Sequence, residues 1–274
     1  MTTDARYYLD VDMGEPGVTP WCRGVAAVIS RPCPGKLSPN EDAAALVAWD
    51  DDCGVLVVAD GMGGGRAGEQ ASRLAVEAVA SAVASAAASD VQLRTAILNG
   101  IEQANQAVKD LAIGAATTLA AVEISAGEAR PYHVGDSLVL VLGGRGKIKL
   151  QTTAHSPVGF GVEAGLLDES EAMHHEDRHL VSNMVGTDSM RIELGAPLRL
   201  AANDTVLLAT DGLSDNLHVE EIVEMARKGS LEQAASRLAA TAAERMHQAT
   251  DGLPSKPDDL TLLLFRRQAK SASP

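Results

Sequence analysis

At 274 residues, with 46% hydrophobic and 22% charged side chains, the chain is long enough to bury a sizeable core and too apolar to be disordered throughout. Aromatics are only 3%, so that core must be built from Ala, Val, Leu and Ile. Lys+Arg total 23 against 37 for Asp+Glu, a net charge of −14. That sign excludes a stand-alone grip on nucleic-acid phosphates and disfavours an anionic membrane, so neither is expected as a partner.

No window carries about 18 uninterrupted apolar residues, and residues 1–14 hold no apolar signal core, so a cytoplasmic protein is expected. Cys22, Cys33 and Cys53 form no CxxC pair and no disulfide framework. They read as reduced thiols without chemistry.

In chain order, residues 1–23 read as a loose lead-in, and Val25–Ile29 as the first strand. Ala43–Trp49 and Val55–Ala59 are two strands joined by the acidic turn Asp50–Gly54, close enough to pair antiparallel. Ala67–Ala88 has a long Ala-rich helical pattern. Ser89 and Gln92 have the spacing of a capping box for a second helix running to about Lys109. Thr117–Ile124, Arg130–Val134, Leu138–Leu142 and Ile148–Thr152 form a meander of short strands. After a His-rich stretch, Leu180–Val185 and Thr205–Ala209 are expected as strands. Asn216–Lys228 and Ser230–Gln248 are expected as helices, and Leu260–Phe265 as the closing strand. Hairpin-linked strands with two inserted helix pairs do not fit the regular alternation of a parallel sheet. The pattern predicts an α+β, four-layer α-β-β-α sandwich: two antiparallel sheets flanked by helix pairs. One domain is expected over residues 24–266, with a polar tail at 267–274.

Chemistry-bearing residues stand at strand ends. Glu41 and Asp42 precede a strand, Asp60, Asp136 and Asp211 follow strands, and Asp258 and Asp259 precede the last one. A sheet holds such carboxylates rigidly while their oxygens face solvent. Several together would make a hard, oxygen-rich site suited to Mg²⁺ or Mn²⁺. A single Asp-Gly is more often turn chemistry; two directly after strands, with three further acidic ends, favour a site.

Asn40-Glu41-Asp42, Val57-Val58-Ala59-Asp60-Gly61-Met62-Gly63-Gly64, Gly135-Asp136-Ser137, Ala209-Thr210-Asp211-Gly212-Leu213-Ser214-Asp215 and Pro257-Asp258-Asp259-Leu260-Thr261 resemble, in order, the motifs of bacterial-type PP2C (PPM) metal-dependent Ser/Thr protein phosphatases. The resemblance spans about residues 24–266 and implies the same α-β-β-α fold. It implies that Asp60 bridges two Mn²⁺ or Mg²⁺ ions with help from the Gly61 carbonyl. Asp211 and Asp258 would complete the pair, Asp136 with Asp211 would serve a third ion, and Glu41 and Asp42 would hold metal-bound waters. It further implies hydrolysis of phosphoSer and phosphoThr in a phosphoprotein partner by direct attack of a metal-bridging hydroxide, with Asp60, Asp211 and Asp258 as the catalytic set. The chain is expected to act as a monomer.

Three positions depart from the family pattern. Met62 stands where eukaryotic members carry His, and a thioether donates no proton. Leu37 stands where an Arg grips phosphate, with Lys36 beside it as the substitute phosphate ligand. Asp259 replaces an Asn. Two other readings stay open: a zinc hydrolase using HExxH at His175-Glu176-Asp177-Arg178-His179, or a non-catalytic phosphatase-like sensor module. Gly63-Gly64-Gly65-Arg66-Ala67-Gly68 also matches GxGxxG, but the strand it follows leads into two successive helices rather than a βαβ unit.

Overall fold

Strand residues of this chain are apolar on both sides, and the computed structural model, which describes residues 4–64 and 66–267, shows why. The first sheet contains β1 (Ala5–Leu9), β4 (Asp42–Ala48), β5 (Gly54–Met62), β7 (Leu119–Ser125), β8 (Glu128–Val134) and β11 (Glu193–Leu194) in the order β1-β4-β5-β7-β8-β11. Two short strands, β6 (Ala116–Thr117) and β12 (Leu198–Arg199), pair with β5 and β8. The second sheet orders β10 (Ile148–Gln151), β9 (Leu138–Leu142), β13 (Thr205–Ala209), β14 (Leu260–Arg267), β3 (Gly24–Arg31) and β2 (Gly17–Trp21) as β10-β9-β13-β14-β3-β2. All of the registered strand pairs are antiparallel.

Period-two alternation divides each strand between two cores. In β5, Leu56 and Val58 face the other sheet, where they meet Val206, Leu208 and Leu263. Val55, Val57 and Ala59 face the opposite way, toward α1 (Arg66–Ala86) and α2 (Leu93–Asp110). In β14, Leu263 and Phe265 point between the sheets. Leu260, Leu262 and Leu264 pack under the helices that follow β13: α5 (Asp211–Ser214), α6 (Val219–Ala226) and α7 (Leu231–His247). The expected α-β-β-α sandwich is therefore the observed architecture.

Small residues set the helix spacing. A Cβ on Gly100 of α2 would stand 2.7 Å from the Val79 Cα of α1, so only glycine lets the two backbones come this close. Ala71, Ala75, Ala78 and Ala82 lie in or against this packed layer. α7 opens with the expected capping box, the Ser230 hydroxyl accepting from Gln233 N–H at 3.2 Å.

The structure corrects four local expectations. The described part of the expected 1–23 lead-in, residues 4–23, is not loose, because β1 pairs with β4 and β2 with β3. Ser89 does not cap α2; its hydroxyl bonds back to Ala86 O at 2.9 Å, and the helix starts at Leu93 behind Gln92. Leu180–Val185 is not a strand, since only Val185 makes a bridge, to Thr117. The Asn183 side chain is engaged instead with His155 and with the backbone of Arg191. Gly65 and most of the expected 267–274 tail lie outside the described residues.

Candidate active site

The acidic strand ends converge at one end of the sandwich. Asp42 and Asp60 are direct cross-strand partners in β4 and β5. The Asp60 backbone is clamped on both sides. Its carbonyl accepts from Thr118 N–H at 2.9 Å and Thr117 Oγ1 at 2.8 Å, and its N–H donates to Thr118 Oγ1 at 3.0 Å. Asp211 opens α5 directly beyond β13, and Asp258 lies in the loop entering β14. Asp136 sits in the turn between β8 and β9. There Gly135, at φ +106°, takes a backbone conformation that L side chains rarely adopt.

Both Asp-Gly glycines are required by close approach. A Cβ on Gly61 would meet the Gly68 carbonyl oxygen at 2.1 Å, and one on Gly212 would meet the Asp259 carbonyl at 1.9 Å. The first contact seats the N-terminal turn of α1 against the Asp60 loop. The second seats the Asp211 turn against Asp258-Asp259. Sheet and glycines together press five carboxylates into one cleft.

So many like charges disfavour ionisation of one another. Burial, then Asp211, Asp42, Asp258 and Asp136, pushes the Asp60 carboxyl well above the usual carboxylate range. Asp42 is raised by burial and by Asp259, with Thr210 and Thr261 opposing. Asp136 is pushed up to about 7 by burial, Asp211 and Asp215. Asp211 and Asp258 are also raised, burial leading in both. Asp42 Oδ1 and Asp211 Oδ1 are buried without a hydrogen-bond partner. Buried, mutually repelling oxygen donors with orphaned atoms fit a hard divalent cation. The residues present therefore fit the ions that the sequence implied.

Two lysines enter the same cleft. Lys36 Nζ donates to Glu41 Oε2 at 2.7 Å and to Asp259 Oδ2 at 2.6 Å. Burial depresses its ammonium, but Asp259 and Glu41 outweigh that and hold it above its ordinary value. Asp259 also accepts from the N–H groups of Cys33 and Glu41, each at 2.7 Å. The extra charge at Asp259 is thus answered by Lys36, while Leu37 points wholly into solvent. Lys256 stands among Asp211, Asp215 and Asp258, its Nζ at 2.6, 2.8 and 3.2 Å from their Oδ2 atoms. Sequence reasoning gave no role to Lys256 or Asp215, nor to the supporting hydroxyls of Thr117, Thr118 and Thr210. The only available signal was spacing: Asp215 lies one helical turn after Asp211, and Lys256 two residues before Asp258.

The zinc-hydrolase reading loses its geometry. Glu176–His179 is a single 3-10 turn, with His175 outside it accepting from Asp177 N–H at 3.1 Å. The motif needs two histidines on one face of an α-helix, which a 3-10 turn does not provide. The GxGxxG reading fails too, because β5 pairs only with antiparallel neighbours. His133 and His155 stack at 4.3 Å, and His155 Nδ1 accepts from Gly135 N–H at 3.0 Å. His155 thereby braces the turn that carries Asp136. Glu193 joins the pair through His155 Nε2 at 3.1 Å.

A cavity of about 390 Å³ runs outward from Asp136, Asp211 and Asp215. Its apolar wall includes Val158 and Val162 of α3 (Pro157–Glu163), with Met173 and Leu217.

Comparison with known proteins agrees with this geometry. The family model described as protein phosphatase 2C matches residues 35–251. Protein phosphatase PhpP of Streptococcus pneumoniae is 31% identical over 175 residues, 61% of this chain and 70% of that protein. The serine/threonine phosphatase stp of Listeria monocytogenes is 28% identical over 196 residues, 68% of this chain and 77% of its own length. Among solved structures, the S. agalactiae serine/threonine phosphatase shares 27% identity at a TM-score of 0.75, covering 89% of this chain and 99% of that one. Stp1 of Staphylococcus aureus shares 26% at a TM-score of 0.76, covering 95% and 100%. The catalytic domain of the phosphatase PstP in complex with two manganese ions shares 26% at a TM-score of 0.67, covering 89% and 98%.

Proposed function

The chain belongs to the protein phosphatase 2C family, a metal-dependent serine/threonine phosphatase of bacterial type, and from that premise we propose that its acidic cleft hydrolyses phosphoserine and phosphothreonine in proteins. One observation carries the reading: Asp42, Asp60, Asp136, Asp211 and Asp258 meet at one end of the sandwich, with a buried oxygen of Asp42 and one of Asp211 lacking partners. A sensor module has no need to retain such a repelling set.

Asp60 and Asp211, with the Gly61 carbonyl and Asp258, would hold a pair of Mn²⁺ or Mg²⁺ ions, with Glu41 and Asp42 around them. When bound, such ions supply a water acidic enough to act as nucleophile at neutral pH, and charge to offset the phosphoryl oxygens. The chain's own residues do the positioning. Thr117 and Thr118 fix the Asp60 backbone, and Thr210 Oγ1 holds Asp42 Oδ2 at 2.8 Å. Lys36 has one N–H left after Glu41 and Asp259, and that N–H is its available contact for a phosphate oxygen. Met62 gives no proton, so the leaving oxygen takes one from water or from another group. The cavity beside Asp136 and Asp211 suits an apolar side chain flanking the phosphoresidue. A third ion at Asp136 and Asp211 would have to share Asp211 with the ammonium of Lys256.

Hydrolysis of an aryl phosphate and of a phosphothreonine peptide with Mn²⁺ tests the reading, against chelator and against Asp60→Ala and Asp211→Ala. Turnover should fall to background in all three controls. Full turnover in chelator would refute it.

A further inference from the structure

One cation in the carboxylate cluster is part of the chain. Lys256 lies in the loop that leads into β14, and its backbone is pinned. The buried Asn216 accepts Lys256 N–H on Oδ1 at 2.8 Å and donates Nδ2–H to Lys256 O at 2.8 Å. The same amide donates to Gly212 O at 3.0 Å. Asn216 thus ties the lysine to the turn that carries Asp211 and Asp215. On the other side, the preceding residue is held through Ser255 Oγ to Arg245 O at 2.8 Å and through Ser255 O from Arg178 at 3.1 Å. An ordinary surface lysine swings freely. This one has a clamped backbone, and three carboxylate oxygens lie within 3.2 Å of Nζ.

The division of Asp211 is informative. Its Oδ2 goes to Lys256, while Oδ1 stays buried without a partner. One oxygen is taken by the lysine and the other stays without a partner, while the Asp211 charge raises the nearby Asp60 carboxyl. Nζ donates to Asp211 Oδ2 and is ion-paired to Asp215 Oδ2 and Asp258 Oδ2 at 2.8 and 3.2 Å, Asp215 Oδ2 having no hydrogen-bond partner of its own. A divalent ion at the same place would have to displace a charge whose backbone is already anchored.

We propose that Lys256 is a built-in cation that holds the Asp211–Asp215 side of the cluster in place of a third divalent ion, leaving Asp211 Oδ1, Asp60 and Asp258 to the ions the enzyme recruits. The inference rests on the metal-dependent phosphatase reading and adds to it how many ions this chain takes up. It also assigns Asp215 a role, as the lysine's partner rather than a ligand for an added ion.

Calorimetric titration with Mn²⁺ tests it on wild type, Lys256→Met and Lys256→Arg, each purified with Mn²⁺ present and then stripped. Lys256→Met should take up one more equivalent of Mn²⁺ per chain than wild type, and Lys256→Arg should match wild type. In chelator Lys256→Met should melt several degrees below wild type, because the carboxylates lose their counter-charge, and Mn²⁺ should recover more of its melting temperature. If Lys256→Met does not fold, Lys256→Gln, which keeps a donor for Asp211, takes the same measurement. Equal Mn²⁺ stoichiometry in wild type and the neutral variant overturns the proposal while leaving the phosphatase reading intact. A wild type that takes up no Mn²⁺ and hydrolyses no aryl phosphate overturns both.

Discussion

Lys36 and Lys256 enter the same acidic cleft from opposite sides and do different things there. Around Lys36 the Asp259 oxygens are all answered, and the ammonium keeps one N–H. Asp259 has two backbone N–H donors and an ammonium, is almost fully buried, and leaves no carboxylate oxygen without a partner. Around Lys256 the hydrogen bonding is open: Asp211 keeps a buried oxygen with no partner, and Asp60 stays above the usual carboxylate range. The first lysine completes a structural knot that fastens the loop before β4 to the loop before β14. The second sits where added cations are still needed. A positive charge beside carboxylates therefore does not by itself say whether it neutralises or catalyses; the unsatisfied oxygens beside it do.

The sharpest way to break the comparison is to remove the closed lysine. Lys36→Met leaves Asp259 buried without its counter-charge, and we expect a loss of about 3–5 kcal/mol, the scale for breaking one side of a buried pair. The loss should be similar with and without Mn²⁺, because Asp259 is not among the expected ion ligands. Adding Asp259→Asn should recover at least half, since the charge that needed an answer is gone. Denaturant unfolding of the two single variants and the double variant measures this. A Lys36→Met loss that vanishes in Mn²⁺ would place Lys36 on the open side instead.

A smaller effect separates the open side by pH. The Asp136 carboxyl is pushed up to about 7, against an ordinary value near 3.9. A raised carboxyl binds its proton more tightly in the folded state, so its contribution to stability is lost as pH rises from about 4 through about 7. Asp136→Asn, which mimics the protonated form, should then melt a few degrees above wild type in chelator at pH 8. At pH 4 it should match wild type. Saturating Mn²⁺ should erase or reverse the gain at pH 8. A difference that does not change with pH would mean that Asp136 does not carry the charge strain.

These two sides of the cleft were not equally legible in the sequence. The carboxylates were, because each sits at the end of a strongly apolar strand: Asp60 after Val55–Ala59, Asp211 after Thr205–Ala209, Asp258 before Leu260–Phe265. The layers followed from hairpin spacing and inserted helix pairs. Lys256 was hidden because Ser255-Lys256-Pro257 reads as a solvated turn, and its burial depends on Asn216, distant in sequence. β2 was hidden by Gly17 and Pro20, residues that an edge strand tolerates and a central one does not. Leu180–Val185 misled in the other direction: its apolar spacing suits a strand, yet its polar groups are taken by His155 and Arg191. Local pattern records what a residue prefers, while these positions were decided by neighbours far away in the chain.

The smallest expected effect concerns Leu37, the position where an Arg was anticipated. Lys36 turns inward to Glu41 and Asp259, and the next side chain along the loop, Leu37, is fully exposed. An Arg placed there starts on the solvent side and would have to fold back past a lysine already ion-paired to both nearby acids. It would also give up hydration for a cleft where like charge waits at Lys36. Leu37→Arg should therefore change stability by no more than about 0.5 kcal/mol, the range for substitutions away from packed features. KM for an aryl phosphate should stay within about twofold of wild type, since no new contact forms in the ground state. Steady-state kinetics at saturating Mn²⁺ measures this directly. A clear fall in KM would show that the loop can turn residue 37 toward the phosphate, and that the closed side of the cleft is less closed than its hydrogen bonds indicate.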